Sequence, residues 1–410
     1  MINSSFENFR KIFRYYLLYV LLFAFIQLYI KHTGGTDSTI SEWLINYQGG
    51  FVRRGFIGEL FFQIATIFNI KIRFVIFIFQ AIIYASFLFF LFKFFNIIKK
   101  NFIIVLCIFS PLLIIYHIAE VETLARKEVL LFIHFLVLLL YFNKTNKQIL
   151  YLSITYPFLM LIWEPIVFFS GFYALIIFVD FQFKNIGNFL NKIILPFLPT
   201  AFVFFLIIFN KYTEQNQDLM CSNLKEFVNE TCYMSLGYVT TSIKDNYMSL
   251  FGGIEIFHIF RYALALLVGF FPLMLIVLNL KKTLNIKNKF IYNRHPFQLF
   301  LIASFPVIFL FAMGLDWGRW CNIFYFYSIT TFFYLLNKNF YVLKIEYITK
   351  YLNNIISKSK ITYVGIFLFI VFSFTWNLKT TFKEDIGSLP TYRVPAKTTK
   401  HIFTWIRHEN

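Results

Sequence analysis

The chain has 410 residues, 59% of them hydrophobic and only 14% charged, with a formal net charge of +18 and a mean hydropathy of +0.67. A soluble chain is about 45–50% apolar and about 25% charged, so a soluble enzyme, a disordered protein and a disulfide scaffold are excluded. The apolar runs are continuous rather than alternating, which excludes an outer-membrane barrel and leaves an all-α polytopic membrane protein.

A helix needs about 20 apolar residues to cross the hydrocarbon core. The candidate spans, in chain order, are 12–30, 74–97, 101–118, 126–142, 149–164, 166–183, 193–210, 258–280, 297–315, 321–337 and 361–377. They predict about 11 transmembrane helices forming one domain, 1–377. No small-residue cleavage site follows the first run, so it reads as a retained span. The weakest pair is 149–164 and 166–183, where Glu164-Pro165 splits one apolar run. Two half-length or tilted helices meeting at that break fit the pattern.

Lys and Arg near span ends set orientation. Arg10, Lys11 and Arg14 lie at the first span. Lys99-Lys100, Lys144, Lys147, Lys184, Lys192, Lys281, Lys282, Lys287, Lys289 and Arg294, then Lys338 to Lys360, fill loops on that same side. This side is expected to be cytoplasmic, with the amino terminus in and the carboxy terminus out. All but three of the 20 Asp+Glu fall on the opposite side. Cations that flank spans explain the basic balance, so nucleic acid is not an expected partner.

Three segments outside the spans are long. The first, 31–73, carries Gly34-Gly35, Gly49-Gly50 and the apolar stretch Phe56–Phe68. That stretch is short for a crossing and reads as a helix in the membrane interface. The second, 211–257, is polar and holds Cys221 and Cys232, which suit a disulfide in an oxidising external compartment. The third is a short tail, 378–410, with Pro390 and Pro395. No internal repeat marks a transporter.

Four polar clusters are candidates for chemistry. Asp37 and Glu42 follow the first span, and Arg53-Arg54 follow soon after. Adjacent arginines hold phosphate with forked hydrogen bonds, and nearby glycines permit a close backbone approach. Asp37 is also a helix N-cap type, ahead of a helix-like run from Ile40 to Tyr47. In the run His117 to Glu128, a helix would pair Glu122 with Arg126 and aim Glu120 elsewhere, toward a metal or a substrate hydroxyl. Lys127 stands in the same run, which also reads as a solvated turn of mixed charges.

Glu164 is alone in an apolar stretch, either as a functional charge or as an acceptor from a neighbouring helix. Asp316 and Arg319 flank Trp317, ahead of Trp320. They either neutralise each other in an aromatic belt or serve a sugar or lipid phosphate. In the assigned topology all four clusters fall at the external face. A single polar site at the outer mouth of the bundle would gather them.

The pattern resembles the GT-C class of integral-membrane glycosyltransferases. In that class the first span leads into an external loop with an early acid and an interfacial helix, the places of Asp37 and Phe56–Phe68. The resemblance covers about residues 12–340. It implies a polyprenyl-phosphate or -pyrophosphate sugar donor and a glycan, lipid or protein acceptor. It also implies a site on the periplasmic face of a bacterial inner membrane, in cell-envelope glycan assembly. Asp37 would be the catalytic base. Glu42, Arg53, Arg54, Glu120, Glu122, Arg126, Lys127, Glu164, Asp316 and Arg319 would bind substrate. An optional divalent cation (Mg or Mn) would sit on Asp37 with Glu120 or Glu122. The class often pairs two acids in this loop and adds a soluble carboxy-terminal domain. Here Asp37 has no adjacent acid and the tail is short. Two other readings stand beside it: a lipid-linked polysaccharide polymerase or ligase, and a transporter or flippase.

Overall fold

The structure is a computed structural model. It describes residues 2–98, 101–142, 145–181, 186–210, 212–241, 255–283, 293–343 and 358–381, with isolated positions at 245, 247, 248, 252, 403 and 407. Most of the lysine-rich loops assigned to the cytoplasmic side, and the tail prolines Pro390 and Pro395, lie outside these residues.

Among the described residues the fold is all-α with one small β-ladder. Helix α1 (Ile2–Gly34) leads to α2 (Ser38–Leu44), α3 (Phe56–Phe68) and α4 (Ile72–Asn96). Then come α5 (Phe102–Ile108), α6 (Ile114–Ala119), a 3-10 turn (Val121–Thr123), α7 (Glu128–Tyr141) and α8 (Thr145–Ile162). A second 3-10 segment (Glu164–Phe169) opens into α9 (Ser170–Phe181), followed by α10 (Ile186–Phe209) and α11 (Glu214–Val228). The chain continues through a 3-10 turn (Met234–Leu236), α12 (Ile256–Leu278), α13 (Pro296–Ser304), α14 (Val307–Ala312), α15 (Trp317–Asn337) and α16 (Lys358–Phe374).

Among the described residues, four helical stretches are long and apolar enough to cross a membrane: Phe9–Gly34, Ile72–Asn96, Glu164–Phe181 and Ile256–Leu278. Phe56–Phe68, Glu128–Tyr141, Phe197–Phe209 and Tyr363–Phe374 are shorter apolar helices. Two expected spans are broken. Residues 101–118 form α5 and α6 on either side of Ser110-Pro111, and 297–315 form α13 and α14 around Phe305-Pro306. Proline removes a helical hydrogen bond and clashes with the preceding turn. The break at Glu164-Pro165 follows the same rule, with α8 ending at Ile162.

Local chemistry sets several ends. The Asp37 side chain accepts from the Thr39 amide at 2.9 Å and caps α2. Helix α11 opens on a Thr213/Asn216 capping box and closes at Asn229, in the left-handed region at φ 51°. Segment 211–257 is therefore partly helical, and a disulfide joins Cys221 to Cys232 within it.

The core is strongly aromatic: Phe13, for example, packs against Phe92, Phe95 and Phe109. The two ends of the bundle differ. At one end, Leu280–Lys282 pairs antiparallel with Tyr341–Leu343, joining the segments that follow α12 and α15. The other end gathers the close of α1, α6, α8 and α16 and the start of α4, α7 and α15, together with the loop around α2 and α3.

Candidate functional site

Glu42 is the hub of that second end. It lies on α2 and is 1% exposed. Its Oε2 accepts from Arg126 Nε at 2.6 Å. Its Oε1 is 3.8 Å from Arg54 Nη1 and 3.9 Å from Arg319 Nη2. Burial raises the Glu42 carboxyl, and the guanidiniums of Arg126, Arg319 and Arg54 more than offset this, holding it below the ordinary carboxylate range.

Arg54 makes a forked pair with Glu164, Nε to Oε2 at 2.8 Å and Nη2 to Oε1 at 2.7 Å. This geometry is the strong, oriented form of an ion pair. Arg53 reaches the same carboxylate at 3.9 Å and also donates to the carbonyl of Tyr238 at 3.2 Å. Arg319 pairs with Asp316 at 3.0 Å and approaches Glu128 at 3.0 Å. The second contact is an ion pair without hydrogen-bond geometry, for both Glu128 oxygens and Arg319 Nε lack a hydrogen-bond partner. The Arg319 guanidinium also stands over the Trp163 ring at 5.7 Å.

Lys127 precedes α7 and is fully buried. Its ammonium donates to the Arg54 carbonyl at 2.6 Å and faces the Trp43 ring at 5.8 Å. Burial pushes its pKa down, with Glu42 opposing that and Arg54 adding to it, to about 7.

Two residues of this site sit in the left-handed backbone region, Arg54 at φ 66° and Ala125 at φ 50°. Such conformations persist only where the surroundings hold them. Ala125 is held through its carbonyl, which accepts from Trp43 Nε1 and Gln80 Nε2, each at 3.2 Å. Gln80 also donates to the Thr39 carbonyl at 2.9 Å. The turn at Ala125 redirects Arg126. The expected helical Glu122–Arg126 pair is therefore absent: 121–123 is a 3-10 turn, Glu122 is exposed, and Arg126 pairs with Glu42.

The structure thus brings together Glu42, Arg53, Arg54, Arg126, Lys127, Glu164, Asp316 and Arg319 from segments far apart in sequence. It adds Glu128 and Trp163, which the sequence reading left out of the site. Glu128 closes the charged run 117–128, the one signal that pointed to it. Gly49 of the first loop serves packing. A Cβ at Gly49 would lie 1.9 Å from the Asn216 carbonyl oxygen, so the loop seats directly on α11.

Three expected site residues stand elsewhere. Asp37 pairs with Lys31 while capping α2. Glu120 accepts from Asn377 at 3.0 Å and pairs with Lys379 at 3.2 Å. Glu122 contributes its backbone carbonyl, 3.4 Å from the Thr39 hydroxyl. The proposed metal set of Asp37, Glu120 and Glu122 is not assembled. Among the described residues no three His, Cys, Asp or Glu side chains come together to hold a metal ion. Asp37 and Glu120 already face cations, so the donor set does not fit a divalent ion.

Comparison of the chain with protein-family models, curated proteins and solved structures returns no match.

Proposed function

We propose that this chain is a membrane glycosyltransferase that takes a sugar from a polyprenyl-(pyro)phosphate donor at the external face of a bacterial inner membrane. About 11 crossings, with the amino terminus cytoplasmic, fit that reading. One observation carries it: four guanidiniums converge on four carboxylates at one end of an apolar bundle, with the Lys127 side chain buried among them. Arg126 spends only its Nε on Glu42, and its two terminal amino groups carry no hydrogen bond among the described residues. A guanidinium held by one edge and open at the other is prepared for a phosphate oxyanion.

In the proposed reaction the acceptor hydroxyl attacks the anomeric carbon. The bond from that carbon to the phosphate oxygen breaks, and its electron pair leaves on the phosphate. The arginines stabilise the developing charge in a water-poor site. The hydroxyl proton passes to a carboxylate. Asp37 is the candidate: its part-exposed carboxylate stands outside the arginine cluster and would exchange its Lys31 partner for the acceptor hydroxyl, whereas Glu42 is buried among three guanidiniums. No step is routed through a metal.

A second reading, a lipid-linked polysaccharide polymerase or ligase, is favoured by the engagement of every carboxylate in the cluster with a guanidinium. Chemistry there would rest on the arginines without an acidic base. Lipid-linked sugars from cells carrying Arg54→Met and Asp37→Asn separate the two. The transferase requires both residues. A ligase loses activity with Arg54→Met and retains it with Asp37→Asn. Full activity of both variants removes the arginine site from the reaction.

A further inference from the structure

The segment after α16 reads in sequence as a short tail, and its first residues are built into the bundle. Asn377 and Leu378 are fully buried and Thr380 is 5% exposed. Three elements hold it. Glu120, after α6, pairs with Lys379 at 3.2 Å and accepts from Asn377 at 3.0 Å. Tyr262 of α12 donates to the carbonyls of Lys379 at 2.8 Å and Thr381 at 3.0 Å. The Gly318 amide of α15 donates to the Thr380 carbonyl at 3.1 Å. A Cβ at Gly318 would stand 1.8 Å from the Lys379 carbonyl oxygen, so only glycine admits this approach.

The last contact has a consequence for Arg319. The first amides of a helix lack intrahelical partners, and an Asp at the N-cap ordinarily satisfies one with its side chain. Asp316 is the N-cap residue of α15 and makes no such bond. The Thr380 carbonyl serves an amide of that first turn instead. The Asp316 carboxylate is left to accept from Arg319 Nη1 at 3.0 Å.

We infer that residues 377–381 are a positioning strap for Arg319: they cap α15 in place of Asp316, and the Glu120–Lys379 pair anchors them. Glu120 then acts as a positioning residue rather than a substrate ligand. The strap's effect on ligand binding rests on the lipid-phosphate reading above; its coupling to Arg319 does not.

The test has two arms, both on the full-length protein in detergent micelles. The first is a double-mutant cycle in denaturant unfolding between Lys379→Met and Arg319→Met. Positioning predicts that the loss caused by Lys379→Met shrinks in the Arg319→Met background. Additive losses overturn the strap. Where Lys379→Met does not fold, Lys379→Gln, which removes the charge and keeps a hydrogen-bond donor, takes its place in the cycle with the same expectation. The second arm measures binding of undecaprenyl phosphate. Lys379→Met is expected to weaken it roughly tenfold, a loss of about 1.4 kcal/mol, and Glu120→Lys with Lys379→Glu to restore it. Unchanged binding in Lys379→Met overturns the strap's role at the site. Wild type that binds no probe, with coupling intact in the first arm, overturns the lipid-phosphate reading and leaves the strap standing.

Discussion

Glu42→Gln tests whether the charge cluster is organised around its hub. Wild-type Glu42 accepts from Arg126 at 2.6 Å and lies within 4 Å of Arg54 and Arg319 at 1% exposure. Glutamine keeps the shape and one acceptor but removes the charge that three guanidiniums share. Breaking a buried pair by removing one partner costs roughly 3–5 kcal/mol. The retained acceptor places the expected loss near the lower end. Glu122→Gln, on an exposed side chain with no ion pair to the cluster among the described residues, should change stability by no more than about 0.5 kcal/mol. Denaturant unfolding in micelles measures both. The pH dependence adds a sign. The folded Glu42 carboxyl lies below its ordinary value, so its contribution is complete above the unfolded carboxylate pKa of about 4.3 and fades as pH falls toward the folded value. The gap between wild type and Glu42→Gln should therefore narrow as pH falls below the unfolded carboxylate pKa of about 4.3. A Glu42→Gln protein that unfolds like Glu122→Gln at pH 7 refutes the hub.

Lys127 gives the same direction of pH dependence in a higher window. Its folded pKa is pushed down to about 7, so between pH 7 and about 10 the unfolded chain holds a proton that the folded chain lacks. Stability should rise with pH across that window in wild type and stay flat in Lys127→Met, read by unfolding at each pH. Gln80→Met removes the donor shared by the Thr39 and Ala125 carbonyls. Losing these two buried hydrogen bonds should cost roughly 1–3 kcal/mol, and a variant as stable as wild type shows that Ala125 needs no support beyond Trp43. Alkylation of the intact protein without reductant should label neither Cys221 nor Cys232. Reduction should cost the 211–257 loop roughly 3 kcal/mol on a chain-entropy account.

Much of the bundle was legible because its signals are local. Phe56–Phe68 is an apolar run with polar flanks, and the helix has those limits. The capping role of Asp37 and the break at Glu164-Pro165 follow from single residues whose backbone preferences are strong. The same proline logic, applied to Pro111 and Pro306, would have divided 101–118 and 297–315, but long hydrophobicity masked those breaks. Pairings across the site were less legible. Helical spacing nominated Glu122 for Arg126, whereas the left-handed Ala125 turns the chain and gives Arg126 to Glu42, 84 residues away. The strap was invisible for a related reason. Nothing in Asn377-Leu378-Lys379 announces that Gly318 leaves room for it, because that room exists only once the segment after α16 lies against the start of α15.

The central claim, that the arginine cluster serves transfer from a lipid-phosphate sugar, is tested most directly in cells by mass spectrometry of surface glycans and lipid-linked sugars. The comparison sets a deletion strain against the same strain carrying wild type, Arg54→Met or Asp37→Asn. The account predicts that the deletion lacks one sugar and accumulates its lipid-linked donor, and that wild type alone restores the glycan. An unchanged glycan in the deletion strain, or full restoration by Arg54→Met, contradicts it.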